Sequence, residues 1–212
     1  MTNTREFLDI LSKASSERRG IKPRYSRADV YQTLLILLEE GPLGRLKIAE
    51  KLGLGEASIK TMLRRLKELN IVDIDPIAGA YLTSKGKEII EKISEKIMPP
   101  ITLNLHETAE WPNSKITVLR KASRILEKTN VLEIRDELIR RGAKAALIIV
   151  VEHNTAKLAG VEEYTSKEIK QIAEKTKAEN GDLILVSWSP NPRESEKALI
   201  EVALDLLSRL EQ

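Results

Sequence analysis

Apolar residues recur at the spacing of an α-helix in three consecutive stretches of the first hundred residues. The first stretch covers residues 29–40 and is closed by Gly41 and Pro42, which do not continue a helix. The second, Arg45–Leu52, and the third, residues 56–69, are separated by a Gly-Leu-Gly turn. We therefore predict three helices, the last two joined by a tight turn. The positions predicted to be buried are Val30, Leu34, Leu37 and Leu38 in the first helix; Leu46, Ile48, Ala49 and Leu52 in the second; and Ile59, Met62, Leu63, Leu66 and Leu69 in the third.

The third predicted helix has two chemically different faces. Because successive residues of an α-helix are offset by about 100°, the face opposite the apolar stripe is predicted to contain Ala57, Thr61, Arg64 and Glu68. Lys60 and Arg65 flank that face. One side of this helix is therefore predicted to be buried, while the other presents hydroxyl and cationic hydrogen-bond donors.

Two short β-type segments follow this helix, at residues 71–74 and 80–83. The residues between them include Pro76 and Gly79, and two apolar segments joined by proline and glycine are typical of a hairpin. Ser84 comes next and is the predicted N-cap of a further helix. The predicted order is therefore helix, helix, turn, helix, hairpin, helix.

A proline pair, Pro99 and Pro100, divides the chain. Proline lacks a backbone donor and disfavours the helical conformation in the residue before it, so the helix beginning at Ser84 is predicted to end at Ile97. We place a domain boundary at about residue 99. The predicted parts are an N-terminal helix with a basic arm in residues 1–26, a domain in residues 27–98, and a second domain in residues 99–212.

The second half mixes strand-like and helix-like segments. The predicted strands are residues 101–108, 115–120, 145–151, 157–161 and 183–188, and the predicted helices are residues 130–141, residues 166–179 and a final helix from Pro192. Elements of these lengths in this order favour a small α+β layer domain. The predicted fold class is therefore a two-domain α+β protein.

Composition and charge narrow the function classes. The chain has 212 residues and no cysteine, which excludes disulfides and cysteine-ligated metals. Its longest apolar run, residues 145–151, is far shorter than the roughly 20 residues of a membrane span, so we expect a cytoplasmic protein without a membrane partner. Residues 1–98 carry a net charge of +4, whereas residues 99–212 carry −1. A surplus of this size permits contact with a polyanion without requiring it.

Three local sequences in the first half resemble those of winged helix-turn-helix domains. They are I-A-E-K-L-G-L at residues 48–54, the amphipathic segment 58–69 that leads into N-I-V, and Y-L-T-S-K-G-K-E at residues 81–88. The resemblance covers residues 27–98. The whole chain resembles archaeal proteins that pair such a domain with an α+β domain of uncharacterised function. This resemblance implies a DNA-binding transcriptional regulator whose recognition helix is residues 56–69.

The chemistry of the third helix agrees with that implied role. A helix fits the major groove of B-DNA, where polar side chains reach base edges and cations meet phosphates. Lys60, Thr61 and Arg64 are the predicted base-facing residues, and Ser58 and Arg65 at the sides are predicted to contact phosphate. Further candidates for the DNA backbone are Lys47 and Lys51 on the preceding helix and the basic arm residues Arg18, Arg19, Lys22, Arg24 and Arg27.

The predicted hairpin departs from the family pattern. DNA-binding wings often carry Arg or Lys, but this one contains Asp73 and Asp75 and no cation between Val72 and Ser84. Because carboxylates repel phosphate, this composition argues against insertion of the wing into the minor groove. It leaves open an alternative function, a protein-interaction adaptor that uses the winged helix to contact protein.

The second half offers little catalytic chemistry. His106 and His153 are 47 residues apart without a cysteine or a helical histidine partner, so no metal site is predicted. Glycine-rich nucleotide-binding motifs and the G-x-S-x-G nucleophile motif are also absent from the sequence. We therefore expect no cofactor and no enzymatic activity, and a small-molecule enzyme is the least favoured hypothesis.

A binding role for an effector is still possible in this half. The candidate ligand-binding residues are Trp111, Arg135, Asp136, Trp188, Asn191 and Arg193. Trp188, Asn191 and Arg193 lie near a strand end and a helix start, where backbone donors converge. Core packing for the tryptophans and a surface ion pair for Arg135 and Asp136 are the simpler alternatives. The final helix either lies on its own sheet or pairs with a second copy, and we expect a homodimer because two DNA half-sites raise affinity.

Overall fold

Helices dominate the first half of the chain, and a five-stranded sheet organises the second. The computed structural model describes residues 4–18, 20–105, 113–161 and 164–211. Contacts divide the chain into two units, Met1–Ile93 and Ser94–Gln212. The chain is therefore a mixed α+β protein, and each unit has its own core.

The first unit packs five helices around a two-stranded hairpin. Its core contains Phe7, Tyr31, Leu34, Ile59 and Met62, which are all fully buried. The N-terminal helix is part of this core, because Phe7 stacks edge-on against Tyr31 with ring centroids 5.8 Å apart. The elements are α1 (Thr4–Ser15), α2 (Arg27–Glu40), α3 (Arg45–Leu52), α4 (Glu56–Glu68), β1 (Val72–Asp75), β2 (Gly79–Leu82) and α5 (Ser84–Ser94).

Local sequence explains where these helices begin. Ser26 caps α2: its hydroxyl accepts from the Asp29 backbone N–H, and the Asp29 carboxylate accepts from the Ser26 backbone N–H at 2.7 Å. This reciprocal pair satisfies two donors that the first turn of a helix leaves free. Helices α3 and α4 instead begin after Gly44 and Gly55, which supply no side-chain cap.

The burial of Leu46 and the end of α5 differ from what the sequence predicts. Leu46 is 66% exposed rather than buried. It lies two positions, about 200°, from the buried Ile48 and therefore on the opposite side of α3. Helix α5 ends at Ser94, not at Ile97, and residues 95 and 96 form a turn. Ile97 forms an antiparallel bridge with Leu119, so tertiary pairing ends the helix before the prolines do.

The second unit is built on one antiparallel sheet with the strand order β3-β4-β7-β5-β6. Its central strand, β7, is buried along its whole length, and Val186 lies opposite both Ile116 of β4 and Leu147 of β5. The elements are β3 (Ile101–Asn104), β4 (Asn113–Leu119), a 3-10 helix (Ser123–Glu127), α6 (Val131–Arg140), β5 (Ala145–Glu152), β6 (Thr155–Leu158), α7 (Lys167–Lys175), β7 (Leu183–Trp188) and α8 (Pro192–Leu210).

Helices cover both faces of this sheet. Ile169 and Ile172 of α7 belong to one apolar cluster with Ile184 and Val186 of β7. Helix α8 packs along β4 and β7 and contributes fully buried Leu199. The final helix therefore lies on its own sheet, which is one of the two arrangements that its apolar stripe allows.

Helix α7 is shorter than the sequence pattern predicts. It ends at Lys175 rather than at Glu179, because Lys177 adopts a left-handed conformation with φ of 49°. The Arg120 guanidinium donates to the carbonyl oxygens of Thr176 and Lys177 at 3.1 and 2.9 Å. A side chain that is distant in sequence thus satisfies carbonyls that the end of a helix leaves free.

Candidate nucleic-acid interface

A tight turn fixes the start of α4, and the core fixes its apolar side. Gly53 ends α3 in the left-handed conformation, with φ of 62°, and the Leu54 N–H returns to the Ala49 carbonyl at 3.1 Å. Glycine reaches this conformation without steric cost. The apolar side of α4, which includes Ile59 and Met62, is buried. The opposite side of α4 faces outward.

That outward side contains the three predicted base-facing residues. Lys60 is exposed, and the side chain of Arg64 is 70% exposed. Thr61 is half-buried, and its hydroxyl donates to the Ala57 carbonyl at 2.9 Å, which leaves its oxygen able to accept. Ser58 is half-buried at the side of this surface. We call Lys60, Thr61 and Arg64 the outer face of α4.

The two lysines of α3 take part in exposed ion pairs. The Lys47 ammonium lies 3.0 Å from the Glu50 carboxylate, and the Lys51 ammonium lies 2.9 Å from the Glu40 carboxylate. The Lys47 contact holds the pKa of Glu50 below its ordinary value. Exposed pairs of this kind contribute little to stability, so these lysines can exchange a carboxylate for a phosphate at small cost.

Arg65 does not belong to this surface, and the expectation that it contacts phosphate is wrong. Its side chain is 5% exposed. One terminal nitrogen, Nη1, donates to the carbonyl oxygens of Ala14 and Ser16 at 3.0 and 2.6 Å. Arg65 therefore attaches α4 to the end of α1 from inside the unit.

The two carboxylates of the hairpin have local partners. The Asp73 carboxylate lies 2.6 Å from the Lys67 ammonium, which together with the Ile74 N–H lowers the pKa of Asp73. The Asp75 carboxylate accepts from the N–H groups of Ile77 and Ala78 at 2.8 and 2.7 Å, and these bonds lower the pKa of Asp75. Asp75 thus closes the hairpin turn, a structural role that explains an acidic residue at this position.

A cleft of about 880 Å³ separates the outer face of α4 from the hairpin. Ile77 at the tip is 98% exposed, and Ile74 is 41% exposed. The hairpin wall is fixed to the start of α3, because Leu43 and Ala80 exchange two backbone hydrogen bonds of 2.9 and 2.8 Å. Sequence reasoning missed this apolar wall; its signal was the isolated isoleucines among turn residues. The lining residues are Gly44, Arg45, Ala57, Lys60, Thr61, Leu63, Arg64, Ile74, Asp75, Pro76, Ile77, Gly79 and Ala80.

The candidate ligand residues of the second unit do not form one site. Trp188 is 1% exposed within the core cluster. Asn191 caps α8, since its side-chain oxygen accepts from the Arg193 N–H at 3.1 Å. Asp136 instead borders a groove of about 250 Å³ that also contains Asp205. Fourteen residues of α8, about 21 Å, separate Asp205 from Asn191.

Arg135 and Trp111 add no contact to the cap of α8 or to the groove beside Asp205. Arg135 and Asp136 are both exposed, and no ion pair joins them, because adjacent helical residues point in different directions. Trp111 and His106 lie outside the described residues. Within residues 4–18, 20–105, 113–161 and 164–211, no group of three or more metal-ligating side chains is present. In the same residues, no helix is long and apolar enough to cross a bilayer.

Comparison with known proteins finds a match for each half of the chain and one relative that spans both. Residues 28–88 match the family described as PH0730-like, N-terminal domain, and residues 109–206 match a domain of unknown function, DUF4443. The hypothetical protein PH0730 from Pyrococcus horikoshii OT3 is 30% identical, with a TM-score of 0.70, over 88% of this chain and 95% of that chain. The chain belongs to the PH0730-like family.

PH0730 is described as hypothetical, so the family carries no assigned activity to this chain. HmgR of Pseudomonas aeruginosa aligns over 85% of this chain and 95% of its own, with 10% identity and a TM-score of 0.29, which is too low to indicate a shared fold. No functionally curated protein matches the chain. The function of this PH0730-like protein must therefore be argued from its own residues.

Proposed function

We propose that residues 27–98 form a winged helix-turn-helix domain that binds double-stranded DNA, and that the protein is a transcriptional regulator. In this proposal α4 is the recognition helix and β1-β2 is the wing. The observation that carries it is the outer face of α4: Lys60 and Arg64 extend into solvent from a helix whose other side is fixed in the core. A rigid helix with exposed donors is what the major groove accepts.

The surrounding residues support phosphate contacts on the same side. Lys47 and Lys51 precede the tight turn that leads to α4, and Ser58 lies in the first turn of α4. Phosphate contacts fix the register of a protein on the duplex, while base contacts supply specificity. We assign these three residues to the DNA backbone, and Lys60, Thr61 and Arg64 to the groove.

The second unit has a supporting role in this proposal. One winged helix contacts few phosphates, whereas two copies on half-sites roughly 34–36 Å apart gain affinity and specificity. We propose that the protein acts as a homodimer and that Ser94–Gln212 provides dimerisation or effector sensing. The proposal is for a binding protein rather than an enzyme.

Binding to duplex DNA tests the proposal directly. The full chain is titrated into a fluorescent duplex of random sequence, and anisotropy is measured across a series of salt concentrations. We expect binding that weakens steeply as salt rises. The salt slope, which is the magnitude of the slope of log affinity against log salt concentration, should be smaller for Lys60→Ala and for Arg64→Ala. Lys87→Ala, which removes an exposed cation of α5, is the matched control. Anisotropy that does not change at low salt overturns the proposal.

A second function is favoured by one specific observation. The cleft beside α4 has an apolar wall that includes the exposed Ile74 and Ile77. Apolar surface of this kind is suited to contact with protein, so the chain could act as an interaction adaptor. Recovery of a stoichiometric protein partner, lost in Ile77→Ser but retained in Arg64→Ala, together with no DNA binding, selects the adaptor function.

A further inference from the structure

A short basic turn follows α1 in the first unit. The Arg18 N–H donates to the Ile21 carbonyl at 3.2 Å, and the Ile21 N–H donates back to the Arg18 carbonyl at 3.1 Å. Gly20 within the turn has φ of 75°, a conformation that glycine adopts freely. We call residues 18–24 the basic turn; Arg19 lies outside the described residues. The two hydrogen bonds give this segment a defined shape rather than that of an extended linker.

Hydrogen bonds fix the segment on both sides of the basic turn. Before it, the buried Arg65 of α4 holds the carbonyls of Ala14 and Ser16. After it, the hydroxyl of Tyr25, which is 6% exposed, donates to the same Ala14 carbonyl at 3.0 Å. The residues before and after the basic turn are thus joined through the Ala14 carbonyl, and Arg65 joins them to α4.

The basic turn lies beside the last turn of α4. The Arg18 guanidinium is 2.6 Å from the Glu68 carboxylate, and this contact lowers the pKa of Glu68. Glu68 is four residues after Arg64, which is about 6 Å along the helix axis. The basic turn therefore flanks the outer face of α4 at the end of the helix.

Two cations of the basic turn are available to bind a ligand. Lys22 and Arg24 are exposed, and neither forms an ion pair within the part of the chain that the structure describes. The hairpin differs in charge, because Asp73 and Asp75 are its ionised side chains. The basic turn therefore presents two exposed cations, Lys22 and Arg24, whereas the hairpin presents two carboxylates.

We infer that the basic turn is a second contact with the DNA backbone, in which Lys22 and Arg24 bind phosphates flanking the groove that α4 occupies. This inference rests on the proposed function and adds the phosphate site to it. When an ammonium or guanidinium group binds a DNA phosphate, cations condensed on the DNA are released. Each such contact therefore adds about 0.9 to the salt slope. Arg18, bound to Glu68, positions the turn.

The test compares two double variants that lose the same charge. Lys22→Ala with Arg24→Ala is expected to lower the affinity for the random duplex about tenfold at roughly 0.1 M salt, and to reduce the salt slope by about 2. Lys87→Ala with Lys92→Ala removes two exposed cations of α5 and is expected to change the slope much less. Circular dichroism checks that both variants fold.

The outcomes separate the inference from the proposed function. If Arg64→Ala weakens binding while the Lys22 and Arg24 double variant keeps the wild-type slope, the inference is overturned and the proposed function stands. Equal slope losses in the two double variants also overturn it, because they indicate a net-charge effect. A wild-type chain that does not bind duplex DNA overturns the proposed function itself.

Crosslinking gives a second, independent readout. The chain has no cysteine, so Lys22→Cys provides a single thiol for a photo-crosslinker. We expect more covalent protein–DNA adduct from position 22 than from Lys87→Cys under the same conditions. Equal yields from the two positions contradict a contact at the basic turn.

Discussion

Arg64 and Arg65 are neighbours in the sequence, yet they serve opposite sides of α4. The side chain of Arg64 is 70% exposed, whereas Arg65 is 5% exposed and donates to two backbone carbonyls. On the outer side, Arg64 is a largely exposed cation 3.9 Å from the Glu68 carboxylate. On the inner side, Arg65 attaches α4 to the end of α1. An arginine therefore indicates a nucleic-acid contact only when its side chain is also exposed.

The largest effect is expected from the inner arginine. Arg65→Met removes both hydrogen bonds and leaves the Ser16 carbonyl without its donor, which we expect to lower the free energy of unfolding by about 2–4 kcal/mol. Urea denaturation measures the change. Arg64→Met, an identical substitution one residue away, is the control and should change stability by less than about 0.5 kcal/mol. Equal stabilities of the two variants would break the comparison.

Binding should show the reverse order. Arg64→Ala is expected to weaken binding to duplex DNA by about 1–3 kcal/mol if its guanidinium reaches base edges, with stability unchanged. Anisotropy against a duplex selected from genomic DNA provides the measurement. Thr61→Val, which keeps the shape of the side chain, serves as the companion variant. Wild-type affinity in Arg64→Ala would remove this arginine from the interface.

The pH dependence of stability tests the burial of Tyr25, which lies on the inner side of α4. Burial raises the pKa of the Tyr25 hydroxyl, and the neighbouring Arg65 offsets part of this rise. Because the folded-state pKa is raised, the stabilisation is complete below the ordinary pKa of about 10 and is lost as pH rises through the folded value.

Tyr25→Phe isolates this contribution, since all other titrating groups remain. We expect the variant to be less stable by about 0.5–1.5 kcal/mol at neutral pH, through loss of the hydrogen bond to Ala14. The difference from wild type should shrink at about pH 11, where the Tyr25 hydroxyl is largely ionised in the unfolded chain. A difference that is constant with pH would show that Tyr25 does not titrate differently on folding.

The smallest effect is expected at Glu68, which lies on the outer side. Its carboxylate accepts from Arg18 and lies 3.9 Å from Arg64. The side chains of Arg18 and Glu68 are each a little under half exposed, so the pair contributes little to stability. Glu68→Gln removes a negative charge near the proposed DNA surface and should raise affinity for duplex DNA about twofold to threefold at low salt. Glu91→Gln on α5 is the control, and an equal gain there would indicate a long-range charge effect.

Periodicity predicted the elements of the first unit well, because short-range patterns set them. The capping Ser26, the left-handed Gly53 and the turn-closing Asp75 all act on residues within a few positions. The burial of Arg65 could not be predicted in this way. It lies at the border between the two sides of α4, and its partners at Ala14 and Ser16 are about fifty residues away in sequence.

The second unit shows the same limit. Asn130, Ser166 and Asn191 are local helix caps, and their side chains all accept from backbone N–H groups. The early end of α7 depends on Arg120, which directly follows β4 and is more than fifty residues away in sequence. Sequence spacing also could not show that Asp136 of α6 borders a groove with Asp205 of α8, about 21 Å along α8 from Asn191.

Both tryptophans of the chain are in the second unit, and Trp188 is sealed inside its sheet core. Indole emission therefore reports on Ser94–Gln212 alone, whereas far-ultraviolet ellipticity also follows the helices of Met1–Ile93. Transitions that coincide by both optical signals would mean that the units unfold in one cooperative step. Separate midpoints would mean that each unit melts independently, and the PH0730-like chain would then carry its own built-in probe for only one of them.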